Sequence, residues 1–503
     1  MILKRLIEIL KSFDKEELKK FERFVRSDYF NTNESITKLF KSIKKFYPQF
    51  DSPSLTQEKL FKRIYGTRKF DDKTFRYLIT EVLELAEKFI AVSAYEKRPI
   101  DEKKILIEEL LTKKLFGQAN RHLKILGREF EHEPVFSLDN ISNKRELAIL
   151  WHQLSISLDK QEPLADKRIE LTEYLIFYAV TELANMFSVL VGIKRIYNID
   201  FDDRIVESFI KNLDYKSMLK NLDSIESSLK DSKSKQITVN AFKAYLCFMI
   251  TFLELKDEKY FYRMKGIIKD NSNLFSKEDL YNLYGMLGSC CHLKREAIDD
   301  IKYLKEYFEI EKDALAKGLL THYEEQFMQA GGFITLFHTA ISLNELDWAE
   351  KFVGQYIEKI SPELRDDIYN YSNAQFYFGK GEFEKSLELI NKVKFKYVQF
   401  KLYVRDLMLK IYYELNYFEE AFSLIDSYGH FLTSNKRVSP RMRNQNQHFL
   451  SFTKDLLKIK TDSDIKTNPT DIKNEIMKCS VVAYKPWLLE KATKLVYLLK
   501  TSS

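Results

Sequence analysis

The sequence predicts an all-α protein: an array of antiparallel helix pairs behind a distinct N-terminal helical module. Three observations predict it. Only 9 Pro and 14 Gly occur in 503 residues, and no Pro lies between Pro163 and Pro362. Proline removes a backbone donor and clashes with the preceding helical turn, so so long a stretch without it favours helix. Alternating apolar and polar runs bounded by turn residues, the mark of strands, are missing. Finally, "YFGKGEFEKSLELI" (Tyr377–Ile390) returns 35 residues later as "YYELNYFEEAFSLI" (Tyr412–Ile425).

Composition bounds the class. Hydrophobic residues make up 45% and charged residues 31%, which suits a chain that buries a core rather than a disordered one. The four cysteines, Cys247, Cys290, Cys291 and Cys479, show no framework spacing and fit a reducing, cytoplasmic setting. The opening "MILKRLIEILKSF" is charged at Lys4, Arg5 and Glu8 and is not expected to be a signal peptide. The most apolar stretch, Tyr174–Ile193, carries Glu182 and Asn185, so it is expected to be a buried helix and no membrane partner is expected. The net charge of +7 resides in the first hundred residues, which hold 22 Lys+Arg against 15 Asp+Glu; the rest carries 59 of each sign.

Residues 1–95 form the basic module. Asp14 with Glu17 three residues on is a capping box, and Leu18, Phe21 and Val25 give the helix behind it one apolar face. After the loop "SDYFNTNES", a second helix runs from about Ile36 to Tyr47 and stops at Pro48. Thr56 caps a third helix that Gly66 ends. In a fourth, from about Asp72 to Val92, Phe75, Leu78, Val82, Leu85 and Phe89 recur every three or four residues, a seam against other helices. "YEKRPIDEKK" (Tyr95–Lys104) reads as the boundary.

Residues 103–330 read as a degenerate array of helix pairs. "LLTKKLFGQANRHLKIL" is expected to turn at Phe116 and Gly117, with Ala119 as the small residue entering the second helix. "GMLGSCCHLKREAIDDIKYL" has the same plan, with Ala297 in that position. After Gly331 and Gly332 the repeat is legible over 331–432: Trp348, Phe383 and Phe418 stand 35 residues apart. Three residues after each come Lys351, Ser386 and Ala421; six before the last two stand Tyr377 and Tyr412, with Ser342 in the first unit. Residues 433–503 are expected to be a basic loop, "SNKRVSPRMRNQNQHF", followed by capping helices.

This spacing resembles the tetratricopeptide repeat, a helix-turn-helix unit of about 34 residues. The resemblance covers Tyr377–Ile425, with Ser342–Gln355 as a degenerate unit. It implies that Tyr377 and Tyr412 lie on the first helix of each pair, and that Trp348, Phe383 and Phe418 open the second. It also implies small residues where the helices cross, at Ser386, Ala421 and Ala374, and large apolar ones at Ile390 and Ile425. Asn370 and Arg405 stand where the family prefers Trp, Leu409 replaces a small residue, and Val398 and Thr433 stand where a closing Pro would be. The family's architecture would make the array a right-handed α-solenoid that binds a protein or peptide partner. The module's "LTQEKLFKRIYGTRKFDDKTFRYLITEVLELAEKF" looks a little like the helix pair of winged-helix DNA-binding domains. That likeness would set Lys62, Arg63, Arg68, Lys69, Lys73 and Arg76 on one face toward nucleic-acid phosphates.

No phosphate-binding glycine loop, HExxH, CxxC or calcium loop is present, so no cofactor, metal or catalytic residue is assigned. Adjacent residues on a helix point about 100° apart, so Cys290–His292 cannot converge on one ion alone. His122 and His152 are scattered, and His338, in an apolar run, reads as a core residue. The expected function is a non-catalytic protein- or peptide-binding scaffold. The alternatives are a nucleic-acid-associated regulator acting through residues 1–100, and an enzyme without a linear motif.

Overall fold

The computed structural model describes residues 2–131, 135–158, 161–196, 204–226, 233–298, 300–321, 326–461 and 468–502. Among them the chain forms helices and no strand; one isolated parallel bridge joins Phe136 to Phe275. Contacts divide it into two compact units, residues 1–129 with 147–167, and residues 130–146 with 168–503.

The first helices are α1 (Ile2–Ser12), α2 (Lys15–Val25), α3 (Glu34–Lys44), α4 (Gln57–Tyr65), α5 (Asp72–Glu96), α6 (Pro99–Thr112) and α7 (Phe116–Glu131). The capping box at Asp14 forms as expected: its carboxylate accepts from the Glu16 and Glu17 amides, and Glu17 accepts from the Asp14 amide at 3.1 Å. Thr56 caps α4, and Gly66 ends it at φ 66°. The five seam residues of α5 are all buried, and α5 packs on α1, α2 and α3. Phe21 sits at the centre, 4.8 Å from the Phe40 ring and 5.3 Å from Phe89. The opening helix α1 was not expected; its Leu6 and Leu10 have no exposed surface. Tyr95–Lys104 lies inside the first unit and is helical apart from a turn at Lys97 and Arg98, with Pro99 as the first residue of α6. No strand follows Phe89, so the wing of a winged helix is missing: α5 simply runs on to Glu96.

The chain continues through α8 (Leu138–Ser157), α9 (Gln161–Ile196), α10 (Arg204–Asn212), α11 (Tyr215–Glu226), α12 (Lys233–Leu253), α13 (Lys259–Asp270), α14 (Lys277–Ile298) and α15 (Lys302–Ala316). Then come α16 (Ala330–Ser342), α17 (Leu346–Tyr356), α18 (Pro362–Gly379), α19 (Phe383–Ile390), α20 (Val398–Leu415), α21 (Phe418–Ser434), α22 (Pro440–Thr461), α23 (Pro469–Lys478) and α24 (Lys485–Ser502). From α11 to α24 each helix packs on its sequence neighbours. The first helices of successive pairs also touch, α16 on α18 and α18 on α20. This is the packing of a helical repeat.

The turn inside a pair is built the same way four times. Lys114, Asn344, Gly381 and Asn416 adopt left-handed φ of 59°, 63°, 79° and 60°. The amide after each donates to the carbonyl five residues back: Leu115 to Leu110 at 2.8 Å, and Glu345 to Ala340, Glu382 to Tyr377 and Tyr417 to Tyr412 at 2.9 Å. That bond closes the first helix in a Schellman cap. The second helix starts at once, and five residues past the left-handed one stand Ala119, Ala349, Ser386 and Ala421, none with exposed surface. Ser386 Oγ donates to the Ala374 carbonyl at 2.7 Å, so the helices cross there in contact. Leu123, Val353, Ile390 and Ile425, four residues further, are buried as well.

This register corrects several expectations. The degenerate unit is aligned on Ala349, 37 residues before Ser386, and not on Lys351, which is exposed. Leu346 therefore takes the position of Phe383 and Phe418, while Trp348 lies two residues further on, stacked on Phe352 at 5.0 Å. The turn near Leu115 spans Lys113–Leu115, so Phe116 and Gly117 already belong to α7. Ala297 is exposed in the last turn of α14 and enters no second helix. Gly331 and Gly332 lie in the first turn of α16 instead of ending a segment. The basic loop shrinks to Asn435–Ser439, because a proline at the first helical position starts α22 and Ser439 Oγ caps the Met442 amide at 3.2 Å.

Two helical stretches, Arg168–Lys194 and Lys235–Leu253, are long and apolar enough to cross a membrane by length and composition; 33% and 78% of their apolar windows are buried. Tyr174–Ile193 is thus less buried than expected. One side packs on α12, with Phe177 against Phe242 and Phe187 against Phe252, while Met186 and Val189 are about half exposed.

Two predictions follow from the pair turn. Gly381→Ala meets no atom within 4 Å but must hold φ 79°, so it should destabilise by about 1 kcal/mol in urea unfolding. Ala349→Leu and Ala421→Leu should each cost about 1–3 kcal/mol by overpacking, while Lys351→Leu stays within about 0.5 kcal/mol.

Candidate functional site

A cavity of about 860 Å³ opens in the second unit, lined by α9, α14 and α15 with the start of α8. The lining residues recur at helical spacing. On α9 they are Tyr178, Glu182, Asn185 and Val189; on α14 Glu278, Tyr281, Gly285 and Ser289; on α15 Tyr307, Glu311 and Ala314. Three helices thus each turn one face toward a common space.

Its frame is a stitched pair of helix starts. The Phe136 amide donates to the Leu274 carbonyl at 2.6 Å, and the Ser276 amide to the Phe136 carbonyl at 2.7 Å. Asp279 completes the frame: its carboxyl accepts from the Leu138 amide at 3.1 Å, Ser276 Oγ at 2.5 Å and the Tyr245 hydroxyl at 3.4 Å. Gly288 lets α14 and α15 approach, since a Cβ there would stand 3.2 Å from both the Tyr307 ring and Glu311 Oε1.

The electrostatics are one-sided. Asp139, Glu182, Glu278, Asp279 and Glu311 border the cavity, and no lysine, arginine or histidine does so among the described residues. Burial pushes Asp279 up to about 6 against the pull of its Ser276 and Leu138 hydrogen bonds. Glu311 is raised to about 7, and burial alone causes it: no hydrogen bond or salt bridge reaches this carboxyl among the described residues. Asn185 is 8% exposed, and its Oδ1 has no hydrogen-bond partner. Tyr307 is held well above its ordinary value by burial, so it stays a neutral hydroxyl. A space of this size with acidic walls and an unanswered amide oxygen suits a ligand that brings positive charge and N–H donors.

None of these residues was singled out from the sequence, beyond Glu182 and Asn185 as polar interruptions of an apolar stretch. The readable signal was the recurrence of Tyr178, Glu182, Asn185 and Val189 along one helical row. The residues that were singled out lie elsewhere. Lys62, Arg63, Arg68, Lys69, Lys73 and Arg76 are all exposed on or beside α4 and the start of α5. Arg63 lies 5.2 Å over the Phe46 ring, Arg68 5.2 Å over Tyr65, and Arg76 pairs with Asp72 at 2.8 Å. Lys62, Lys69 and Lys73 make no ion pair among the described residues.

Cys290 and Cys291 are buried free thiols of α14, and burial pushes Cys290 up to about 12. The His292 ring lies 4.4 Å from that of Tyr307, and no group of three metal-binding side chains occurs among the described residues. His338 Nε2 is 2.7 Å from the Tyr371 hydroxyl, and burial lowers it to about 3, so it is a neutral, hydrogen-bonded core residue. No family model, no curated protein and no solved structure matches the chain.

The Glu311 carboxyl gives a pH prediction. The folded chain keeps its proton up to about 7, whereas an ordinary carboxyl near 4.5 releases it earlier. Stability therefore falls as pH rises from 4.5 through 7, and the full penalty applies above that. Glu311→Gln should stabilise the protein by about 2 kcal/mol at pH 8 and leave it unchanged near pH 4, read as the Tm difference at the two values.

Proposed function

We propose that this chain is a non-catalytic binding protein whose helix pairs form a divergent tetratricopeptide-like array, acting as a scaffold that holds a protein or peptide partner. The observation that carries this reading is the acidic, tyrosine-lined cavity to which α9, α14 and α15 each contribute side chains. Side chains from different helices, arrayed in rows, are how helical repeats grip a polypeptide segment. Tyrosine supplies broad contact area at low entropic cost, and the free thiols fit a reducing, cytoplasmic setting. To test it, a photo-crosslinking amino acid is placed at Val189, on the cavity wall, or at exposed Tyr77 as a control, in cells making the full chain. Polypeptide adducts at Val189 and none at Tyr77 are expected. Turnover of a nucleotide or peptide by the purified chain would overturn the reading and favour an enzyme.

A second reading, a regulator touching nucleic acid through residues 1–100, is favoured by the exposed, unpaired Lys62, Lys69 and Lys73. If it holds, the full chain binds a random duplex with log affinity falling against log salt. Replacing each of these lysines by alanine should then shallow the slope by about 0.9. No binding at low salt would remove this reading.

A further inference from the structure

The cavity carries a charge imbalance that the described residues do not resolve. The protein as a whole holds 81 Lys+Arg against 74 Asp+Glu, yet five carboxyls and no described cation border this space. Elsewhere in the same unit two buried lysines are answered locally. Lys243, 3% exposed, pairs with Asp223 at 2.8 Å and Glu226 at 2.5 Å, and Lys491 pairs with Glu414 at 2.5 Å. Glu311 has no such partner. The second, independent observation is Asn185: it is more than nine-tenths buried, lines the same space from α9, and leaves Oδ1 without a donor. An amide oxygen buried without a partner has lost its water and gained nothing in return, a cost that a ligand N–H would remove.

Resting on the reading that the partner is a polypeptide, we infer that the cavity receives the ammonium group of a lysine side chain carried by that partner, with Glu311 as its counter-charge and Asn185 Oδ1 accepting an N–H of the same segment. A compact ammonium needs acceptors and negative charge around it, and this cavity supplies both. Tyr178, Tyr281, Tyr284 and Tyr307 give the wall area for the lysine's alkyl stem. The inference also sets a proton balance. Glu311 holds a proton up to about 7 and must shed it to face an ammonium, so binding at neutral pH releases a proton and tightens as pH rises through 7. The titratable groups that border the cavity with it are Asp139 on α8, Tyr178 and Glu182 on α9, Glu278, Asp279, Tyr281 and Tyr284 on α14, and Tyr307 on α15, and the buried Cys291 of α14 interacts with its charge; none of them is a cation that would oppose this sign.

The test uses the full chain with three probes in calorimetry at low salt: a Gly-Ser-Lys-Ala repeat peptide, the same peptide with acetyl-lysine, and spermidine. The lysine peptide is expected to bind at pH 8 at least tenfold more tightly than its acetylated form. Glu311→Gln should lower that affinity at least tenfold, and Glu388→Gln, on an exposed face of α19 paired with Lys392, should not. The heat near pH 7 should vary with the buffer's ionisation enthalpy, showing proton release, and this variation should vanish in Glu311→Gln, which the pH prediction above expects to fold well. Equal binding of the two peptides overturns the ammonium inference and leaves the polypeptide reading standing. Spermidine binding as tightly as the lysine peptide, with the same dependence on Glu311, overturns the polypeptide source and assigns the site to a free amine. Absence of binding by all three probes, or lysine-peptide binding indifferent to Glu311→Gln, overturns the inference.

Discussion

The left-handed residue between the helices of a pair is the constraint on which the array depends. Lys114, Asn344, Gly381 and Asn416 each reverse the chain within one residue, and the amide that follows both closes the old helix and opens the new one. With no slack in the connection, the crossing point falls a fixed five residues later. Only a small side chain fits there, hence Ala119, Ala349, Ser386 and Ala421. Both requirements are local, yet together they aim the second helix and so decide which faces the next pair can bury. Cooperativity then passes from neighbour to neighbour rather than through one central core.

Inside this frame the cavity is a place where the usual compensation is withheld. Asp406 shows the ordinary solution. It is raised to about 7 like Glu311, but it is fully buried and accepts from the Tyr428 hydroxyl at 2.9 Å and the Tyr484 hydroxyl at 3.1 Å, with the Lys410 charge favouring its ionised form. Asp279 is likewise held by three donors. Glu311 is half-buried and has no donor among the described residues, which lowers stability above neutral pH and leaves an interaction open to something outside the chain. Such local inconsistency is what functional positions look like when the rest of a sequence agrees with its fold.

How much of this was legible follows the range of the physics. The capping box at Asp14, the Thr56 cap, the Gly66 stop and the α5 seam are written in residues within one helical turn of each other, and they stand in the structure as expected. The α1 helix was missed because its start has no capping side chain. The register of the degenerate unit was misplaced by two residues because Trp348 was matched by residue type, whereas the left-handed Asn344 sets the true alignment. Asparagine tolerates that conformation but also fills ordinary loops, so it signals weakly. The cavity was illegible for a different reason: Asp139, Asn185, Asp279 and Glu311 meet only after four helices have packed, and no linear spacing ties one to another.

The pair turn has one more consequence. It asks for a residue that accepts positive φ, a small residue five places on and a large apolar one four places beyond, and asks almost nothing specific elsewhere. Lys114, two asparagines and a glycine all satisfy the first demand, and both alanine and serine the second. Helix lengths can also change between turns, as the intervals of 37 and 35 from Ala349 to Ser386 to Ala421 show. An architecture held by so few letters per unit tolerates neutral drift in nearly all the others.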